Sequence, residues 1–476
     1  MSRIPGYARR VKETDEREVK LAPDDGFVLP ELGGEVLPTR RFVSTYHDTA
    51  DLVLARHGIT FRHRTEDGSG LWQLKLPKDA TRLELEQPGP PARPPLELVS
   101  LLVAFLRGAE LVPVARLRTR REVVRAEGAE IVDDLVAVLS GQRVTRRFRE
   151  LEVELVGGDE RTLRRLEQEL RKAGASSAEQ RPKLFRALDL EVPEVASTVP
   201  KDASSTEALG ITLAEHARRV LLHDPGTRLG SDPEELHKMR VSTRRLRAYL
   251  RAAKPLLDPT WRKELRDELG WLGRSLGPAR DLDVLVAYLS SELEALGEDA
   301  HAGAGLLAEL RDEHARARHQ VVEALSSDRY LALLDRLEGI GGPSLSGEQV
   351  PLAKLWRREW KRASKALDGL SDESTDEELH AARIKVKRAR YAAELAAHEL
   401  GKDGERFADV AAQLQDVLGE HQDASVAEER IRVWGERSRG LAAGLLARRQ
   451  QDRRAAARAA LPKAAKKLRR AAKPLA

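Results

Sequence analysis

Cysteine is absent from this 476-residue chain, which excludes disulfide frameworks, thiol catalysis and cysteine-ligated zinc or iron–sulfur sites. Any metal must be held by carboxylates, histidines or bound phosphate. Aromatic residues make up only 4%, so stacking platforms for single-stranded nucleic acid are scarce. No apolar run approaches the ~20 residues of a spanning helix, and Met1-Ser2-Arg3-Ile4 leads into no signal-peptide core. A soluble, cytoplasmic protein with no membrane partner is expected. Also missing are a Walker A sequence, a glycine-rich dinucleotide fingerprint and a Gly-x-Ser-x-Gly elbow.

What is present is charge, at 33%, beside 41% hydrophobic residues. The length is about three times a ~150-residue domain, so at least two domains are expected. Residues 1–200 carry 33 Lys+Arg against 33 Asp+Glu, and residues 201–476 carry 49 against 44, which is the whole surplus of +5. Bulk charge therefore names no partner, and local patterning has to decide.

Two textures divide the chain. Residues 1–194 alternate like strands, as in Glu16-Arg17-Glu18-Val19-Lys20, Thr60–Arg64, Leu71–Lys75 and Glu150–Leu155, with turn clusters such as Asp67-Gly68-Ser69-Gly70 between them. Helical segments interrupt near Leu96–Leu106 and Glu160–Lys172. Residues 195–205 read as a linker. From 206 to 476 the periodicity is helical, with breaks at Gly341-Gly342-Pro343 and Lys402-Asp403-Gly404. This half contains a duplication, about 206–343 and 350–476. Asp232-Pro233-Glu234-Glu235-Leu236-His237 returns as Thr375-Asp376-Glu377-Glu378-Leu379-His380, and Leu276-Gly277 with Arg280-Asp281 returns as Leu418-Gly419 with Gln422-Asp423. The fold class expected is multidomain α+β: an N-terminal antiparallel β-barrel or tunnel, then an all-α duplicated bundle.

Alternate residues of a strand share one face. Glu16, Glu18 and Lys20 therefore point together, as do Arg62 with Arg64, Arg118 with Arg120, and Glu150, Glu152 and Glu154. An open amphipathic sheet would leave those charges in water. A sheet closed into a barrel would turn them inward, where carboxylates hold a hard divalent cation and guanidinium forks grip phosphate oxygens. In the helical half, His237, Arg240, Arg244, Arg247 and Arg251 are spaced 3, 4, 3 and 4, and His380, Arg383, Lys387 and Arg390 repeat the first four positions. Each set forms one stripe of a helix. No acid lies within Lys238–Arg251 or Ala381–Arg390 to answer the stripes, which points to a polyanionic ligand over an ordinary basic surface. Trp261, Trp271, Trp356, Trp360 and Trp434 are packing residues by this reading, and Ala455–Arg470 reads as the last helix.

The strand-rich half resembles the CYTH family of triphosphate tunnel metalloenzymes. The resemblance rests on Glu16-x-Glu18-x-Lys20, Tyr46-His47-Asp48-Thr49, Arg62-x-Arg64, Lys75, Arg118-Thr119-Arg120, Asp133, Glu152-x-Glu154 and Lys183, in that order. It implies Mg2+ or Mn2+ held by Glu16, Glu18, Asp133, Glu152 and Glu154. It also implies a triphosphate bound by Lys20, Arg62, Arg64, Lys75, Arg118, Arg120 and Lys183, with Glu16, Glu18 and Lys20 as the catalytic centre. Asp134 competes with Asp133, and Glu150 extends the acidic run. Ser176-Ser177 stands where many relatives have Ser-Lys. The helical half resembles the CHAD domain, which implies polyphosphate binding by the two stripes, His237, Arg240, Arg244, Arg247, His380, Arg383, Lys387 and Arg390. The joint expectation is a metal-dependent triphosphatase acting on inorganic triphosphate or another triphosphate, with thiamine triphosphate and nucleoside triphosphates left open, and with association to polyphosphate granules. The alternatives are a non-catalytic polyphosphate-binding protein and a CYTH-type adenylate cyclase, with nucleic acid a weaker third partner.

Overall fold

A computed structural model of the chain describes residues 11–24, 26–78, 81–176, 181–191, 198–296, 301, 303–342, 344–346, 349–438 and 441–475. The chain separates into two compact units, Arg3–Val195 and Ala196–Ala476. Of the expected linker, residues 195–197 lie outside the described part, as does Ser177. The first helix after it begins at Ser205, where the Ser204 side chain caps the Glu207 amide.

The first unit is a ten-strand antiparallel sheet: β1 (Lys12–Glu16), β2 (Glu18–Pro23), β3 (Glu35–Asp48), β4 (Thr60–Glu66), β5 (Ser69–Lys78), β6 (Thr81–Pro88), β7 (Val112–Ala126), β8 (Ala129–Ser140), β9 (Arg143–Leu155) and β10 (Ala175–Ser176). The strand order is β1-β6-β5-β4-β3-β7-β8-β9-β2-β10. β1 and β2 are one stretch broken only at Arg17. β1 pairs with β6 and β2 with β9, so this stretch joins the two sides of the sheet and closes it into a barrel. Two turns pin the register. Asp67-Gly68 and Glu127-Gly128 both take positive φ at each central residue (48° and 79°, 53° and 77°), the geometry of a two-residue hairpin matched to strand twist. With Ala126 opposite Ala129, counting back places Arg121 opposite Asp134 and Arg120 opposite Leu135.

Short helices α1 (Val53–Arg56), α2 (Leu96–Val99), α3 (Val103–Leu106), α4 (Glu160–Lys172) and α5 (Lys183–Leu188) dress this sheet. The outward Leu21, Ile131, Leu151 and Val153 bury against Leu163, Leu166 and Leu170 of α4, whose first turn is capped by Asp159. On the other side Phe61, Trp72, Leu74 and Leu85 are fully buried, as are Leu54, Leu98, Leu101 and Leu102 of the small helices. Leu184 and Phe185 of α5 pack with Tyr46, Leu117 and Val136.

The second unit is all-α in its described residues, apart from one isolated bridge between Leu257 and Leu345. Its helices are α6 (Ser205–Leu222), α7 (Asp224–Leu229), α8 (Pro233–Ala252), α9 (Pro259–Glu294), α10 (Ala304–Leu325), α11 (Asp328–Glu338), α12 (Leu352–Asp368), α13 (Asp376–Leu395), α14 (Ala397–Ser438) and α15 (Leu441–Ala472). The repeated Asp/Thr…Leu-His motif is a helix start: Asp232 caps α8, and Thr375 forms a capping box with Glu378 on α13. The break expected at Lys402–Gly404 falls one residue earlier, at Gly401 (φ 56°, ψ −150°), a backbone conformation only glycine tolerates. Pro343 lies outside the described residues. Trp356 and Trp434 are buried, and α15 carries Ala455–Arg470 as its C-terminal half.

Candidate functional site

Strand parity decides what the barrel encloses. Glu16 ends β1, and Glu18 and Lys20 open β2. All three occupy even positions, so the break at Arg17 leaves them facing the same way. Glu18 lies opposite Glu154, and Lys20 opposite Glu152. Across the ring, Tyr46 faces Arg62, Arg62 faces Gln73 and Lys75 faces Glu84.

Two electrostatic zones result. Glu16, Glu18 and Glu154 bring carboxylate oxygens within 4.8 Å of one another. Glu18 Oε2 is buried and, among the described residues, has no hydrogen-bond partner. Glu154 is pushed up to about 7, by burial first and then by Glu152, with Arg121 and Lys75 opposing. Three converging carboxylates with an orphaned oxygen fit a divalent cation, because hard oxygen donors are what such an ion needs. Lys75 Nζ reaches Glu16 Oε2 at 2.6 Å from the side.

The second zone is a dense ion-pair network. Lys183, projecting from α5, lies 2.8 Å from Glu150, 2.9 Å from Glu152 and 3.1 Å from Asp134. Lys20 sits 2.8 Å from Glu152, 3.3 Å from Glu18 and 3.6 Å from Glu150. Arg121 makes a fork onto Asp134 at 2.9 and 2.7 Å. Burial opposes ionisation of Glu152, yet Lys183, Lys20 and Arg121 hold it well below the usual carboxylate range. Lys183 is driven up against its own burial by Glu150, Glu152 and Asp134.

Beside this network stand two guanidinium groups. Arg62 donates to Gln73 Oε1 (2.9 Å) and to the Tyr46 hydroxyl (3.1 Å), and Gln73 is itself fixed by Glu84 and Glu86. Arg64 lies over the Phe42 ring. Burial, then Arg62 and Arg40, lower it to about 10. Arg62 and Arg64 are thus aimed and only lightly neutralised.

Three of the sequence-predicted residues are elsewhere. Asp133 faces out of the barrel, where Arg149 grips it at 2.9 and 2.6 Å. Asp134 is the inward aspartate and is fully buried. Arg118 and Arg120 also face outward and are exposed, with Arg120 paired to Glu122. The inward arginine of β7 is Arg121. The physical reason is the turn register, which fixes odd positions of β7 opposite even positions of β8. Sequence reasoning also missed Gln73, Glu84 and Glu86. Glu152, expected at the metal, lies instead among Lys20, Lys183 and Arg121.

In the helical unit the two stripes lie on neighbouring helices. Arg244 of α8 donates to the Tyr391 hydroxyl of α13 at 2.9 Å, and Tyr249 stands edge-on to Tyr391. The Leu-Gly-x-x-x-Asp segments serve these stripes. Gly277 lies against Arg240, where a Cβ would sit 3.8 Å from Nη2, and Gly419 against Arg383, where one would sit 3.5 Å from Nη2. Asp281, one turn beyond Gly277, pairs with Arg240 at 3.1 Å. The position matching Arg251 is Glu394, which binds Arg390 at 2.8 Å and Arg245 at 3.2 Å. Between them Lys387 is lowered to about 7, by burial and then by Arg244, Arg383, Arg240 and Arg390. Arg247 Nε is buried without a hydrogen-bond partner among the described residues. His237 is lowered by burial and by Arg280, and His380 contacts Gln422 at 3.2 Å.

The family models agree with this division. A CYTH domain matches residues 15–185 and a CHAD domain residues 211–432. The chain belongs to the proteins that carry a CYTH domain, the triphosphate-tunnel fold, followed by a CHAD domain. Two uncharacterized proteins of Mycobacterium tuberculosis, MT2285 and Rv2226, are each 31% identical over 440 residues, covering 83% of this chain and 83% of their own. Among solved structures, PptA from Streptomyces chartreusis is 22% identical with a TM-score of 0.48, covering 55% of this chain and 99% of its own. The CHAD domain from the plant Ricinus communis is 26% identical with a TM-score of 0.43, covering 60% and 96%. Among the described residues no helix is long and apolar enough to cross a membrane.

Proposed function

We propose that the barrel hydrolyses inorganic triphosphate with Mg2+ or Mn2+, and that the helical unit binds inorganic polyphosphate. The observation that carries this reading is the division of the barrel interior into a carboxylate triad and a cationic wall. Glu16, Glu18 and Glu154 converge on one side, and Lys20, Arg62, Arg64, Lys75, Arg121 and Lys183 line the interior, most of them against Glu84, Asp134, Glu150 and Glu152. Cations already answered by carboxylates hold a bare triphosphate weakly, so the anion is accepted best together with a divalent cation. Glu16, Glu18 and Glu154 would hold the cation, which when bound would supply Lewis-acid charge at the phosphoryl group. Arg62 and Arg64 offer guanidinium forks to the phosphate oxygens, with Tyr46 and Gln73 fixing the first of them. Lys20 and Lys183 balance charge that develops as the anhydride breaks. The apolar group of Leu184, Phe185, Leu117 and Val136 excludes water from its part of the unit.

The test is phosphate release from tripolyphosphate with Mg2+ or Mn2+, comparing wild type with Glu18→Gln. Mn2+ binding is followed separately by calorimetry. Loss of both turnover and Mn2+ binding in the variant supports the reading; a drop on the order of a hundredfold in turnover is expected. Wild type that binds Mn2+ but releases no phosphate would leave a binding tunnel and no triphosphatase.

A further inference from the structure

The arginines that face away from the tunnel form a site of their own. Arg116 and Arg118 are i, i+2 neighbours on β7, about 6.7 Å apart along the strand. Arg118 lies opposite Ala137 of β8, and Ala137 lies opposite Arg147 of β9, so two guanidinium rows flank a small residue. On the other side Arg41 of β3 is the register partner of Arg120. Arg41, Arg116, Arg118 and Arg147 are all exposed, and none makes an ion pair or hydrogen bond to any described residue. Their neighbours contrast with them: Arg120 is answered by Glu122 and Arg149 by Asp133. The sheet on either side is covered, by α4 in one direction and by buried residues of α1–α3 in the other, so this stretch of bare strand is bounded.

Arg41 lies directly opposite Arg120, and like charges so placed destabilise a sheet. Arg116 and Arg118 share one strand and Arg147 stands beyond Ala137, so an anion laid across these strands meets all of them. Arginine, unlike lysine, presents a planar fork suited to bidentate phosphate binding. The rows carry no aromatic side chain on which a base could stack, which favours a phosphate chain over nucleic acid.

We propose that this outer face is a second phosphate-chain site, outside the tunnel, holding the flank of a long inorganic polyphosphate. The choice of polyphosphate rests on the proposed function; the existence of an anion site rests on the arginine rows alone.

The experiment uses the full chain carrying Arg244→Gln, Arg383→Gln and Arg390→Gln, so that the helical stripes are weakened. Fluorescently labelled long-chain polyphosphate is titrated into this protein, before and after adding Arg116→Gln, Arg118→Gln and Arg147→Gln. Residual binding that falls roughly tenfold further with the outer substitutions is the expected result, with tripolyphosphate turnover and melting temperature unchanged or the latter raised. Absence of residual binding, or residual binding indifferent to the outer arginines, would overturn the proposal. Displacement of the polyphosphate by single-stranded RNA at lower concentration would also overturn it, in favour of a nucleic-acid surface. Turnover of tripolyphosphate is read in the same samples, so failure of the tunnel reading is seen separately from failure here.

Discussion

The barrel interior and the helical stripes handle positive charge in opposite ways. Inside the barrel each lysine is surrounded by carboxylates: Lys183 has three within 3.1 Å. Along α8 and α13 the cations face one another, and Lys387 is lowered to about 7 by burial and by four arginines around it. The first arrangement is balanced without a ligand, so by the proposed function an anion would enter it together with a compensating cation. The second stores repulsion that a bare polyanion relieves. The two proposed phosphate sites thus differ, one built on lysines paired with carboxylates and one on cations that face one another with few acids between them.

Removing a cation should therefore have opposite effects in the two units. Lys183→Met removes the cation shared by Asp134, Glu150 and Glu152, leaving these buried acids to Arg121, Arg186 and Lys20 alone. Breaking a buried ion network by deleting one partner costs about 3–5 kcal/mol, the largest effect expected. Urea denaturation should show the barrel transition at lower denaturant. Part of the loss should return at low pH, because carboxylates left without their partner take up protons in the folded state. A barrel transition that does not move would mean the network contributes nothing to folding.

Lys387→Met should act the other way and more weakly. The folded-state value near 7 lies below the ordinary 10.5, so the unfolded chain binds the extra proton between those values. Stability of the wild-type helical unit should thus rise with pH from about 7 to 10, and the methionine variant should be more stable at pH 7 with that slope flattened. A bound polyanion favours the charged lysine, so polyphosphate affinity should be greatest below pH 7 and fall as pH rises. Calorimetry at pH 6 and pH 8 checks the sign through proton uptake on binding. Equal affinity at both, with no proton uptake, would remove Lys387 from the ligand's surroundings.

The two units also differ in how far the sequence discloses them. Periodicity and the repeated cap motif reveal the helical half, because a 3-4-3-4 spacing places a stripe without knowledge of any neighbouring helix. The flip from Arg251 to Glu394 is equally legible in the alignment of the two copies. The barrel is different. Parity says which residues share a face, but which face is inside depends on register, and register is set by turns. Glu16, Glu18, Lys20, Arg62 and Arg64 fall inside, and their parity survives the break at Arg17 because all three residues of the first set occupy even positions. On β7 three arginines alternate at 116, 118 and 120 and a fourth follows at 121, so pattern alone favours the run of three. The Glu127-Gly128 turn resolves it, since Ala126 opposite Ala129 carries Arg121 to Asp134. A glutamate-glycine turn is a weaker signal than asparagine-glycine, and the resemblance to the family, which points to Asp133, Arg118 and Arg120, carries no register of its own. Lys183 could not be placed by spacing at all, since it reaches the network from a helix.

The smallest effect expected is also the sharpest check on that register. Arg118→Gln removes a charge from the outer face, and tripolyphosphate turnover should stay within about twofold of wild type, as surface substitutions usually do. Arg121→Gln removes the fork from Asp134 and a cation from the wall of the tunnel, so turnover should fall steeply and Asp134 should be left buried beside Lys183 alone. Arg121→Lys restores charge without the two-pronged geometry and should recover only part of the loss. Were Arg118→Gln the damaging substitution and Arg121→Gln the silent one, β7 would be turned over relative to β8. The inward and outward sets would then exchange, and with them the assignment of Asp134, because a one-residue slip reverses every side chain of a strand.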